Sequence, residues 1–155
     1  MNLLGVQNEK IMKNLIISLF LCLLIINPCF GDGKLIENSF IPNQDLEKFI
    51  IQRLDLSTFR NSLGPRRESN MRFFSDFGIK ATKISNGYIE FDSSDWVYAI
   101  EIIRKKDENS DGIEDLVISF FDKSKTGTYD TNTWLLVTRF SEDGNLIALS
   151  YEPNQ

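Results

Sequence analysis

The chain has 155 residues, with 17 Lys and Arg against 22 Asp and Glu, a formal net charge of −5 and no histidine. That balance argues against nucleic acid as a partner, because phosphate binding needs a basic patch. The lack of histidine removes Ser-His-Asp and Cys-His catalysis in their usual forms.

The first feature in chain order is a leader. Lys13 stands before an apolar run over 15–26, interrupted only by Ser18. Asn27-Pro28 ends the run, and Cys29 and Gly31 supply small residues at −3 and −1 of a cut after Gly31. This is the pattern of a secretory signal peptide, expected over residues 1–31. The run falls well short of the ~20 apolar residues of a spanning helix. Met12-Lys13-Asn14 reads as the natural start of such a signal, which places the true start at Met12. Ile26-Asn27-Pro28-Cys29 is also an imperfect lipoprotein box, with Pro28 where a small residue belongs. Two readings of Cys29 therefore stay open: it leaves with the leader, or it stays as a lipidated anchor. Lipidation at Cys29 is the one membrane attachment expected. The destination is periplasmic or secreted.

Export changes the inventory. Cys22 and Cys29 are the two cysteines, so the cut chain has no thiol and no disulfide framework. Without histidine or cysteine it also lacks the usual zinc ligands. A metal must then be held by oxygen, which points to a hard cation. Fifteen basic and twenty-one acidic residues remain once Glu9, Lys10 and Lys13 are gone. That charge reads as solubility.

Residues 32–42 read as a tether and 43–155 as a single globular domain, able to bury about two-thirds of its unfolded surface. Leu46, Phe49, Ile50 and Leu54 recur on one helical face. Asn43 after Pro42 is the expected N-cap, with Asp45 in the first turn. Gly64-Pro65 stops any continuation. Arg66, Arg67 and Arg72 then crowd Phe73, Phe74 and Phe77. The aromatics read as core with a solvated basic rim, or the arginines as an anion-binding corner.

After Pro65 the periodicity shifts towards two. Strands are expected over 81–84 and 88–91 around Asn86-Gly87, then over 96–103, 116–121, 134–140 and 146–151, the last pair around Asp143-Gly144. Trp96, Tyr98, Ile100 and Ile102 share a face, as do Leu116, Ile118 and Phe120. The expected class is α+β: an N-terminal helix or helices packed on an antiparallel β-meander of about six strands. Residues 123–133, with Gly127-Thr128-Tyr129, read as a long loop.

One constellation carries chemistry: Asp107-Glu108-Asn109-Ser110-Asp111-Gly112-Ile113-Glu114-Asp115. Oxygen-bearing side chains stand at loop positions 1, 3, 5 and 9. Gly112 at position 6 permits the sharp turn, and Ile113 at position 7 offers its carbonyl. Calcium takes six to eight oxygens at flexible angles. Carboxylates facing one point repel each other without a cation. The other reading is an Asx-rich turn with no ion, since Asp, Asn, Ser and Gly are ordinary turn residues.

An EF-hand would need a glutamate at position 12 between helices, but Ile118 stands there and both flanks read as strands. The segment instead resembles the FG-GAP or VCBS-type loop of integrin-like propellers, Asp-x-Asx-x-Asp-Gly-x-x-Asp-Leu, over about ten residues. That resemblance implies Ca2+ ligands at Asp107, Asn109, Asp111, the Ile113 carbonyl and Asp115. One copy and no blade repeat leave no propeller to expect. Tyr98-Ala99-Ile100, Phe121-Asp122 and Gly127-Thr128-Tyr129 around the loop also resemble small exported proteins of Gram-negative bacteria that carry it once. That likeness implies no activity.

The expected function is an exported calcium-binding domain acting as a binding or structural module. Its partner would be an envelope or extracellular protein or glycan. One alternative is a carboxylate-based glycan hydrolase using acids such as Glu90, Asp92, Asp95, Asp122 and Asp130. Another is a periplasmic inhibitor or immunity protein. No catalytic residue is assigned.

Overall fold

The computed structural model describes residues 38–152, which all belong to the unit Lys34–Gln155. The expected leader, Cys29 and residues 32–37 of the expected tether lie outside the described residues. Among the described residues no helix is long and apolar enough to cross a membrane.

The helical pattern yields α1, Leu46–Arg53, of eight residues. Ile50 is buried, while Leu46, Phe49 and Ile51 pack partly buried against the core. The N-cap is Asp45, not Asn43. It sits in the left-handed region at φ 52° and ties its carboxylate to Lys48 at 2.6 Å. Leu54, the last residue of the apolar pattern, is already extended. With Asp55 it forms β1, Leu54–Asp55, and pairs in parallel with Leu146 and Ile147. Tertiary strand pairing thus ends the helix one residue before its apolar repeat ends.

Six further strands follow: β2 Lys83–Ser85, β3 Tyr88–Asp92, β4 Trp96–Lys106, β5 Asp115–Ser124, β6 Asp130–Thr138 and β7 Leu146–Ser150. They form one seven-stranded sheet in the order β1-β7-β6-β5-β4-β3-β2. Every pairing is antiparallel except that of β1 with β7. Gly87, at φ 74°, allows the two-residue turn between the paired Ser85 and Tyr88. An irregularity between Ile102 and Arg104 shifts the β4–β5 register, the kind of bulge that bends a strand and adds twist.

This corrects the expected fold class. The described residues are mostly β, a curled mixed sheet with one short helix that makes an all-β half-barrel, and not helices packed on a six-stranded meander. The physical reason is coverage. A helix of two turns cannot shield a sheet of this width, so the curled sheet closes over its own apolar face. Ile89, Phe91, Tyr98, Ile100, Leu116, Ile118, Phe120, Leu135 and Val137 line that face. Phe59, Leu63 and Phe74 plug it from the irregular 56–82 segment, with Phe74 stacked on Phe91 at 3.7 Å. The segment expected as a long loop is largely strand. β5 runs on to Ser124 and β6 begins at Asp130, which leaves only 125–129 between them.

Candidate metal centre

Residues 107–114 join β4 to β5, and Asp115 opens β5. The turn is built from Asx side chains that accept the loop's own amides, as such turns commonly are. The Asp111 N–H donates to Asp107 Oδ1 at 3.1 Å and to Asn109 Oδ1 at 3.0 Å. The Gly112 N–H donates to Asp107 Oδ2 at 2.9 Å, and the Ile113 N–H to Asp111 Oδ1 at 2.8 Å. Asn109 Nδ2 reaches Asp111 Oδ2 at 3.0 Å. Gly112 stands at φ 90°, where a glycine bears no steric cost. Three of the expected ligands, Asp107, Asn109 and Asp111, therefore converge on three consecutive amides.

The other two have separate settings. Asn38 bridges in parallel to Ile113: its N–H donates to Gly112 O at 3.1 Å and its carbonyl accepts from Glu114 N–H at 3.0 Å. This bridge consumes the Gly112 carbonyl and leaves that of Ile113 outside the pairing. Asp115 is fully buried. Its Oδ2 accepts from Glu108 N–H at 3.2 Å, while its Oδ1 is buried without a hydrogen-bond partner. Burial pushes the Asp115 carboxyl above its ordinary value, and the charge of Asp111 adds to that rise. The Thr138 hydroxyl and the Glu108 and Asn109 amides pull the other way. The Thr138 hydroxyl is near enough to favour the carboxylate, yet off hydrogen-bond geometry, so its oxygen too is buried and unpartnered.

Donor chemistry fits a hard cation: the set is all oxygen, on a loop that reverses at glycine. Asp115 Oδ1 is the atom of that set the fold leaves unsatisfied, and buried polar atoms in that condition ask for an explanation. The geometry shown, however, draws the Asx oxygens onto amides. Among the described residues, no group of three or more His, Cys, Asp or Glu side chains is arranged to hold a metal ion. Thr138 and Asn38 were not legible as part of this site. Thr138 comes from β6 and Asn38 from the expected tether, and only folding brings them to the loop.

The remaining acids are dispersed. Glu90 accepts from the Tyr88 hydroxyl at 2.9 Å, Asp92 pairs with Lys125, and Asp130 pairs with Lys123 at 2.7 Å. Asp122 is buried and accepts from Gly64 N–H at 2.7 Å. The arginine corner also separates. Arg72 is committed to the buried Asp55, and Arg67 spends its donors on the carbonyls of Phe59, Arg60 and Leu63. Of these three, Arg66 keeps an exposed guanidinium with no partner among the described residues.

Compared with known proteins, the chain matches no family model, no curated protein and no solved structure.

Proposed function

We propose that the chain is an exported, non-catalytic calcium-binding module whose 107–115 loop holds one ion between two strands. The observation that carries this reading is the buried, unpartnered Asp115 oxygen at the base of a loop whose other side-chain oxygens lie on its own amides. Asp107, Asn109, Asp111 and Asp115 would hold the ion through side chains, and Ile113 through its carbonyl. Bound calcium would supply charge neutralisation, and the chain's own residues do the rest. Asp115 anchors the loop to β5 through Glu108 N–H. Asn38 fastens the N-terminal segment to Gly112 and Glu114. Lys105 pairs with Glu114 at 2.9 Å. An ion that stiffens this loop therefore also stiffens the point where the N-terminal segment joins the sheet.

Export and calcium support each other. Loops of extracellular modules bind at roughly 0.1–1 mM, a concentration met outside the cytoplasm and not within it. The periplasm or the exterior is accordingly the proposed location, with an envelope or extracellular protein or glycan as partner.

The test is thermal melting in EDTA and in calcium. With ~10 mM calcium, mass action at such affinities adds about 1.4–2.7 kcal/mol, a rise of several degrees in Tm. Asp111→Ala should abolish the rise while the protein still folds. A wild-type Tm identical in EDTA and calcium rejects the reading.

A further inference from the structure

A second feature lies apart from the loop. A cavity of about 370 Å³ opens between the 61–67 segment and the start of β4, lined by Asn61, Ser62, Arg66, Arg67, Trp96 and Tyr98. That volume is in the range of small-molecule sites. Its walls are fixed from several directions. Asp122 of β5 holds Gly64 N–H, and the Tyr129 hydroxyl donates to Ser62 O at 2.7 Å. Arg67 braces the rim through its three carbonyl contacts. Trp96 and Tyr98 lie parallel within 4° at 6.2 Å, and Tyr129 meets Trp96 edge-on at 5.6 Å. A wall held this way loses little freedom when a ligand arrives.

The cavity's lining is rich in donors, and the nearest acid, the buried Asp122 behind Gly64, faces it only through the wall. Its lining contains two arginines and no acid. The Arg66 guanidinium, the Trp96 indole N–H and the Tyr98 hydroxyl have no hydrogen-bond partner among the described residues. Tyr98 is only 4% exposed as a residue, and it lines the cavity with a hydroxyl that has no protein partner among the described residues. Arg67 is bonded to carbonyls, so no carboxylate cancels its charge. Three unpaired donors beside an aromatic wall call for an acceptor-rich anion attached to a ring.

We propose that this cavity binds an acidic sugar residue, a pyranose carrying a carboxylate. The carboxylate takes the Arg66 fork, a charge-assisted contact whose geometry suits guanidinium. The apolar face of the ring lies against Trp96, and ring and hydroxyl oxygens accept from the indole N–H and the Tyr98 hydroxyl. Asn61 and Ser62 at the mouth meet the outer hydroxyls. A neutral sugar offers Arg66 no charge, and inorganic phosphate has no apolar face for the aromatic wall.

The chain has two tryptophans, so its indole N–H resonances are two, and Trp134→Phe assigns them. The full chain is titrated with glucuronate, glucose and inorganic phosphate, once in EDTA and once in calcium, which keeps the outcome independent of the calcium reading. Glucuronate should shift the Trp96 indole resonance saturably. Glucose and phosphate should bind at least about tenfold more weakly, and Arg66→Ala should weaken glucuronate by about tenfold with Tm unchanged. Tyr98→Phe, which keeps the ring, should weaken it as well. No saturable shift, equal binding of glucose or phosphate, or wild-type affinity in Arg66→Ala overturns the proposal.

Discussion

Asp55 shows how this fold tolerates a buried charge. The residue is 2% exposed, yet its carboxylate accepts from Ser57 N–H at 3.0 Å, the Ser57 hydroxyl at 2.6 Å and the Arg72 fork. Burial raises the carboxyl, but the Arg72 and Ser57 contacts outweigh it and hold it below its ordinary value. The sign follows. A depressed carboxylate contributes stability above its unfolded pKa and loses it as pH falls through the folded one. Arg72→Met should therefore lower stability at neutral pH, where the Asp55 carboxylate loses its partner, and lower it less in acid. Urea denaturation at both pH values measures the difference. Gly112 makes a second case. At φ 90° an alanine is strained, and Gly112→Ala should destabilise the domain by about 1–2 kcal/mol even in EDTA.

The elements are short, and each is held by what crosses it. α1 is too brief to persist alone. It is fastened by Ile50 in the core and by Glu47, whose carboxylate accepts from Gly87 N–H at 2.7 Å in the β2–β3 turn. The turn of residues 74–77 matters more for packing. Its Phe74 is fully buried against Phe91. Phe74→Ala should remove about 3–5 kcal/mol, read as a lower urea midpoint, because no helix layer stands ready to refill the gap. A loss below 1 kcal/mol, on the order of a surface substitution, would show that the plug is dispensable.

At the scale of the molecule, the carboxyls displaced from their ordinary values oppose one another in their response to pH. Burial lifts Asp115 and Asp122 above their ordinary values, against the Gly64 N–H in the case of Asp122. Asp55 and Asp76 lie below theirs. A raised carboxyl penalises the fold while charged, and that penalty is relieved as pH falls through its folded pKa. On acidification from neutral pH in EDTA, stability should first rise as Asp115 and Asp122 take up protons. It should then fall as Asp55 and Asp76 lose their charge. Asp122→Asn should flatten the first rise. Stability that only declines from neutral pH downward would contradict this picture.

The sequence by itself located most of the strands, both glycine turns and the 107–114 turn, because these rest on local rules. Alternation reports a half-buried strand, and Asn-Gly or an Asx-rich stretch reports a turn wherever it occurs. It also listed the oxygens assigned to the proposed cation. Only the tertiary structure decided that Leu54 leaves the helix to pair with Leu146, since a parallel partner 92 positions away leaves no local trace. The same is true of the fold class. A helical repeat in the sequence states which face is apolar, not whether the helix or the sheet's own curl will cover the core. The surroundings of the loop were likewise hidden. Asn38, Thr138 and the burial of Asp115 arise from contacts between distant segments. So does the cavity at Trp96, whose alternation marks a buried face but not what stands opposite it.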